Sequence, residues 1–144
     1  MKAPAEWRLR VMTVADYRRV IALWRACEGI GLSEADRRAG IGAYLRRNRN
    51  MSFVAVAKGR VVGAVLCGHD GRRGYLHHLA VTPAWRRHGI GRALVDAAVA
   101  RLCAAGLKKC NLLLYAHNAA GRAFWLNHGW AARGDLVFMQ KPVK

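Results

Sequence analysis

Acidic residues are scarce in this chain: eight aspartates and glutamates stand against 25 lysines and arginines, a formal net charge of +17 over 144 residues. A field of one sign attracts phosphates of any kind, on nucleic acid, lipid or nucleotide, and does not choose among them. Missing too is any run of five or six like charges. Arg8, Arg18, Arg37, Arg46, Arg60, Arg72, Arg101 and Arg133 are scattered instead, which argues against a disordered nucleic-acid arm and for a largely solvated basic surface. No apolar stretch approaches the ~20 residues of a membrane span, so a soluble protein is expected. Arginines interrupt "MKAPAEWRLR" before an apolar leader core can form, so no secretory signal is expected and the cytoplasm is the default compartment. The four cysteines (Cys27, Cys67, Cys103, Cys110) have no C-x-x-C spacing and read as buried, reduced thiols. No repeat, low-complexity tract or linker divides the chain. With 53% apolar residues, it reads as one domain over 1–144.

What is present is a regular succession of elements. "EWRLRVMT" alternates loosely as a first strand, and "ADYRRVIALWRAC" sets Tyr17, Val20, Ile21 and Trp24 at helical spacing behind Asp16, a candidate N-cap. Ser33 and Asp36 form a box of capping type that opens a second, glycine-bearing helix. "FVAVA" and "VVGAVLC", separated by "KGR", predict a hairpin, and "HDGRRG" turns the chain into "YLHHLAV", giving three adjacent antiparallel strands. Ile90, Ala93, Leu94, Ala97, Ala98 and Leu102 mark a helix stopped by Gly106. "CNLLLYA" then reads as a buried strand, "NAAGRAFWLNHG" as a helix from Asn118 to Gly129, and "LVFMQK" as a last strand. Such a series predicts a mixed α/β fold, a central, mostly antiparallel sheet with helices on both faces.

The segment "WRRHGIGRA", at positions 85–93, is a basic, glycine-bearing turn between a strand and a helix. Amides in the first turn of a helix have no intrahelical acceptor, and the helix dipole adds about half a positive charge there. Gly89 and Gly91 hold no side chain against a phosphate, and Arg86, Arg87 and Arg92 add charge at the rim, so a pyrophosphate suits the backbone. Two other phosphate motifs fail. The dinucleotide fingerprint would need glycine at Leu94, and no G-K-[ST] occurs.

The pattern Arg86-x-x-Gly89-x-Gly91 resembles the acetyl-CoA pyrophosphate loop of the GNAT superfamily of N-acetyltransferases, R-x-x-G-x-G/A. Downstream, "NAAGRAFWLNHGW" is similar to that superfamily's N-x-x-A-x-x-F-Y-x-x-x-G-F, and the likeness runs from about Leu9 to Met139. The resemblance implies a GNAT-like acetyltransferase fold with acetyl-CoA as cosubstrate and an amine as acceptor. It also implies that the backbone of Leu79, Ala80 and Val81 pairs with the pantetheine arm. Arg86, Arg87, His88, Gly89, Ile90, Gly91 and Arg92 would hold the pyrophosphate. Asn118 would touch pantetheine or position the loop, although a helix N-cap accounts for it equally well.

Acetyl transfer needs a neutral nitrogen, and deprotonating an alkylammonium of pKa ~10.4 at neutral pH costs on the order of 4 to 5 kcal/mol. A general base is therefore expected. The resembled family often uses a carboxylate, and here the strand offers Tyr75 instead, with His77 two residues on and so on the same face. Regular alternation would turn His77 and His78 to opposite faces. His77 is the chosen base, directly or through water, with His78 and Tyr75 as fallbacks; an imidazole simply packed between sheet and helix explains His77 equally well. Trp125 stands where the family has the tyrosine that protonates departing CoA. An indole cannot do this, which leaves an unassisted thiolate of pKa ~8.5 or a proton from water or Tyr115. Trp125 would then pack beside pantetheine or in the core.

The first two helices would flank the acceptor pocket, and Glu28, Glu34 and Asp36 there either attract an ammonium or are exposed helix charges. The net charge disfavours polycations, so a neutral or acid-bearing amine, a peptide N-terminus or a protein lysine fits better. The first reading is an acetyl-CoA-dependent N-acetyltransferase with no metal and no membrane, a homodimer being left open. The alternatives are a catalytically weak acyl-CoA-binding member of the same fold and a basic nucleic-acid-binding domain. Against the last, aromatics are not interleaved with the basic residues.

Overall fold

The computed structural model describes residues 6–144; positions 1–5, on which the leader expectation bears, lie outside them. The chain forms two compact units, one reaching Leu113 and the other running from Leu114 to Lys144.

The first unit is built on a five-stranded sheet in the order β1-β2-β3-β4-β5: Arg8–Val11, Phe53–Ala57, Arg60–His69, Gly74–Val81 and Cys110–Leu112. Neighbours pair antiparallel from β1 to β4, and β5 lies parallel to β4. Helices α1 (Tyr17–Ala26) and α2 (Arg38–Arg47) cover one face. Val20, Ile21, Leu23 and Trp24 of α1 and Ile41 of α2 bury themselves on Val54, Ala64, Leu66 and Ala80. Each fully buried aliphatic or aromatic side chain contributes about 1.5–3 kcal/mol. Helix α3 (Ile90–Ala104) covers the other face, where Cys67 Sγ lies 3.8 Å from the Ala98 carbonyl and a Cβ on Gly63 would meet Ile90 and Leu94 at 3.0 and 3.1 Å. Gly106, at φ +88°, ends α3 while the Leu107 amide reaches back 3.0 Å to Leu102 O, as a left-handed helix stop requires.

Asp16 does not cap α1. It closes a 3₁₀ turn, Val14–Asp16, by accepting from Thr13 N–H at 2.9 Å, and it holds Arg10 through two bonds of 2.7 and 2.8 Å. Ser33 and Asp36 form the expected box, around a second 3₁₀ turn (Glu34–Asp36) that precedes α2.

In the second unit, α4 (Ala119–Asn127) opens on the Asn118 side chain, which accepts from Gly121 N–H at 2.8 Å. Gly129 at φ +86° closes it, with Trp130 N–H donating to Trp125 O at 3.0 Å. "LVFMQK" forms no strand: Leu136, Val137, Phe138 and Met139 are exposed and carry no ladder. "CNLLLYA" is a strand only through Cys110–Leu112 and is not buried, Leu113 being 61% exposed. Of the cysteines, Cys27 and Cys67 are buried free thiols, but Cys103 is exposed and Cys110 half-buried. Both of the latter lie near element ends, where helical or strand spacing says nothing about cover.

Candidate active site

The site of the first unit lies where β4 runs into α3. The β4–β5 ladder joins Gly74, Tyr75 and Leu76 to Cys110, Asn111 and Leu112 and goes no further. From His77 to Val81, β4 therefore has a ladder to β3 on one edge and none to β5 on the other. That open edge is a template for an extended partner.

The β3–β4 register also breaks there. Ala64 pairs with Ala80 and Leu66 with His77, so His78 and Leu79 together oppose Val65. His78 takes φ +55° inside this bulge, a conformation uncommon for any residue but glycine. One extra residue reverses the alternation, and His77 and His78 fall on the same face, the one covered by α1 and α2. This overturns the expectation that they point to opposite faces. Their ring centroids are 6.4 Å apart. Tyr75 stacks on His77 at 6.3 Å and Tyr44 of α2 meets it edge-on at 6.1 Å, while Trp24 of α1 lies edge-on to His78 at 4.9 Å. Burial pushes the His77 imidazole below its ordinary value, with His78 acting in the same direction and Asp36 opposing. The cationic form of His77 is thereby disfavoured.

Asp36 was legible only as a cap or a pocket charge. Its Oδ2 does accept from Ser33 N–H at 3.0 Å, but its Oδ1 lies 2.8 Å from His78 Nε2, across 42 residues of sequence. It is buried, so it is not a free acceptor charge, whereas Glu28 and Glu34 are exposed in the α1–α2 connection.

Beyond β4, Arg86 donates from Nε to Val81 O at 2.9 Å, tying the loop to the strand end. His88 Nδ1 approaches the carbonyls of Trp85 and Arg86 at 3.1 and 2.9 Å. Arg87 and Gly89 take φ of +66° and +80°, and Gly89 is the residue before α3. The first backbone bond into the helix runs from Ala93 N–H to Gly89 O at 3.0 Å, so the amides of Ile90, Gly91 and Arg92 precede the ladder. Arg87, His88, Gly89 and Arg92 are exposed around them. The result is a bare, basic helix N-terminus at the end of an open strand edge.

Residues 17–130 match the acetyltransferase (GNAT) family. An acetyltransferase of Sodalis glossinidius (strain morsitans) is 34% identical over 112 residues, 78% of each chain, and one of Yersinia enterocolitica is 32% identical over 112 residues, 78% of this chain and 79% of the other. The chain belongs to the GNAT family of acetyltransferases. Solved structures share its fold. PaiA N-acetyltransferase from Thermoplasma acidophilum, in complex with coenzyme A, superposes with a TM-score of 0.79 at 17% identity, covering 89% of this chain and 91% of that one. The aminoglycoside acetyltransferase AAC(6')-Iy, in complex with a CoA bisubstrate analogue, does so at 0.76 and 17% identity, covering 96% and 100%. The protein is accordingly an acetyltransferase of this family.

The acetyltransferase carries its remaining expected site residues in the second unit. Tyr115 is 52% exposed and stacks on His117 at 5.5 Å. Asn118 serves as the α4 N-cap. Trp125 packs between Phe124 and Trp130, at 5.1 and 4.9 Å. Among the described residues no cluster of metal-ligating side chains occurs, and no helix is long and apolar enough to cross a membrane.

Proposed function

We propose that this chain transfers the acetyl group of acetyl-CoA to a primary amine by direct attack, with cofactor and acceptor meeting on β4. The observation that carries this is the continuity between the β4 edge at His77–Val81, which has no ladder to β5, and the amides of Ile90, Gly91 and Arg92 that precede the α3 ladder. Pantetheine lies along Leu79, Ala80 and Val81 as an added strand. The pyrophosphate sits on the helix N-terminus, with Arg87, His88 and Arg92 at its rim and Arg86 bracing the turn. The amine approaches from the α1/α2 side, where Tyr75, His77 and His78 stand, and one of these takes its proton. Trp125 supplies no acid, so sulfur leaves as thiolate, with water as the proton source.

The aminoglycosides named for the neighbouring structures are polycations, which a net charge of +17 repels. The acceptor is a neutral or acid-bearing amine, a peptide N-terminus or a protein lysine. The family match spans both compact units, which supports reading them as one catalytic domain.

Calorimetric titration with acetyl-CoA and thiol release across a panel of amines and peptides test the reading. Gly91→Trp should weaken acetyl-CoA binding at least tenfold, because an indole would occupy the first turn of α3; unchanged affinity would show the pyrophosphate to be misplaced. Binding without turnover would favour a weak or regulatory member of the fold, which Trp125 in the tyrosine position suggests. Nucleic-acid binding with a steep salt slope would favour the third class.

A further inference from the structure

Resting on that reading, we infer that His78 is the proton acceptor of the reaction and Asp36 the residue that positions it. Three features converge on His78. The bulge places it, at φ +55°, on the side of the sheet covered by α1 and α2. Asp36 Oδ1 holds its Nε2 at 2.8 Å, and Trp24 packs against its ring edge. Asp36 is itself fixed from two sides, by Ser33 N–H on Oδ2 and by Tyr17, whose hydroxyl donates to the Asp36 backbone carbonyl at 2.8 Å.

The tautomer follows. A carboxylate only accepts, so the proton of the neutral imidazole is on Nε2 and the lone pair is on Nδ1. Among the described residues Nδ1 meets no partner, and the side chain is 18% exposed, so that lone pair is open to a ligand. Among the described residues, the titratable groups recorded against the ring are Asp36, from the α1–α2 connection, and His77, from β4 itself. Among the described residues His77 has no carboxylate bonded to its ring, and both rings are half-buried.

In the step, the neutral amine nitrogen bonds to the thioester carbonyl carbon, the proton that this nitrogen sheds as it gains positive charge passes to His78 Nδ1, and the C–S bond breaks with its electron pair on sulfur. The imidazolium beside Asp36 then returns its proton to the CoA thiolate or to water. Asp36 fixes the tautomer and stabilises the cation without itself taking the proton.

Two variants separate this from a structural role. Asparagine tolerates a left-handed backbone, so H78N tests the ring at small conformational cost. In D36N only one of the two side-chain atoms can accept. With that oxygen kept on Ser33 N–H, the amide NH₂ faces Nε2 and moves the imidazole proton to Nδ1. The experiment measures acetyl-CoA affinity by calorimetry, thiol release with a free N-terminal peptide and with an N-blocked lysine peptide, and imidazole ¹⁵N shifts of the full chain. H78N should lose about 100-fold in turnover with acetyl-CoA affinity within about twofold. D36N should lose about tenfold, with the His78 proton moved to Nδ1. The loss in H77Q should be at least tenfold smaller than in H78N. A wild-type His78 protonated on Nδ1, or a H77Q loss exceeding that of H78N, would overturn the inference. Failure of the wild type to bind acetyl-CoA would instead sink the reading beneath it, and the ¹⁵N shifts decide the Asp36–His78 pair in either event.

Discussion

At the residue scale, the two histidines of β4 share a strand and differ in what stands behind them. His77 lies among Tyr44 and Tyr75 with its imidazole pushed below the ordinary value of 6.5 by burial. The unfolded chain takes up a proton on this ring as pH falls through about 6.5, and the native state resists until lower pH. The unfolded state then holds more protons, so stability rises with pH through this window and is lost on acidification. In H77Q that loss between pH 7 and pH 5 should shrink, read as the change in urea midpoint at the two values. Asp16 acts in a different range. Burial would raise its carboxyl, but Arg10 and Thr13 N–H outweigh that and hold it below 3.8, so its contribution is kept above 3.8 and lost in stronger acid. Parallel acid sensitivity in H77Q and the wild type would show that His77 is not the group whose cationic form is disfavoured.

At the scale of elements, the strand-turn-helix at β4–α3 was legible because its marks are local. Gly89 and Gly91 precede an apolar row at helical spacing, and the structure puts α3 at Ile90–Ala104. Gly89 stands at φ +80°, with nothing within 4 Å of an added Cβ. Gly89→Ala therefore meets no clash, and its cost is backbone strain alone, about 1–2 kcal/mol. It should lower the denaturation midpoint and weaken acetyl-CoA binding by tilting the free amides, while Gly89→Asn should lose less of both. Equal effects from the two would show that φ at this position is not what matters. Other features left no local mark. The bulge rests on a histidine with positive φ, where no glycine or asparagine announces it, and one hidden insertion reversed the facing of every side chain after it. Asp36 and His78 meet only through the packing of α1 and α2 on the sheet. "LVFMQK" has a strand's composition, but a strand also needs a neighbour for its ladder, and composition names none.

At the scale of the whole molecule, eight carboxylates offset only part of the basic charge and leave a net +17. Asp16 and Asp36 are buried and bonded to Arg10 and to Ser33 with His78, and Asp70 is taken up by the amides of Arg72 and Arg73. Asp135 pairs with Arg133, and Asp96 lies 3.9 Å from Arg92. Glu6, Glu28 and Glu34 remain exposed against 25 basic residues. Part of the attraction for a cofactor bearing a pyrophosphate is therefore long-range, and salt should remove it as the screening length falls from about 10 Å at 0.1 M to about 3 Å at 1 M. The dissociation constant for acetyl-CoA should rise roughly tenfold over that range, and association should slow in step. Acetyl-pantetheine keeps the thioester arm and lacks the pyrophosphate, so its weaker binding should change by less than about twofold. Salt dependence of the same size for both ligands would move the charge effect from the α3 N-terminus to the open edge of β4. No dependence for either would leave the arginines of the turn without a part in holding the cofactor.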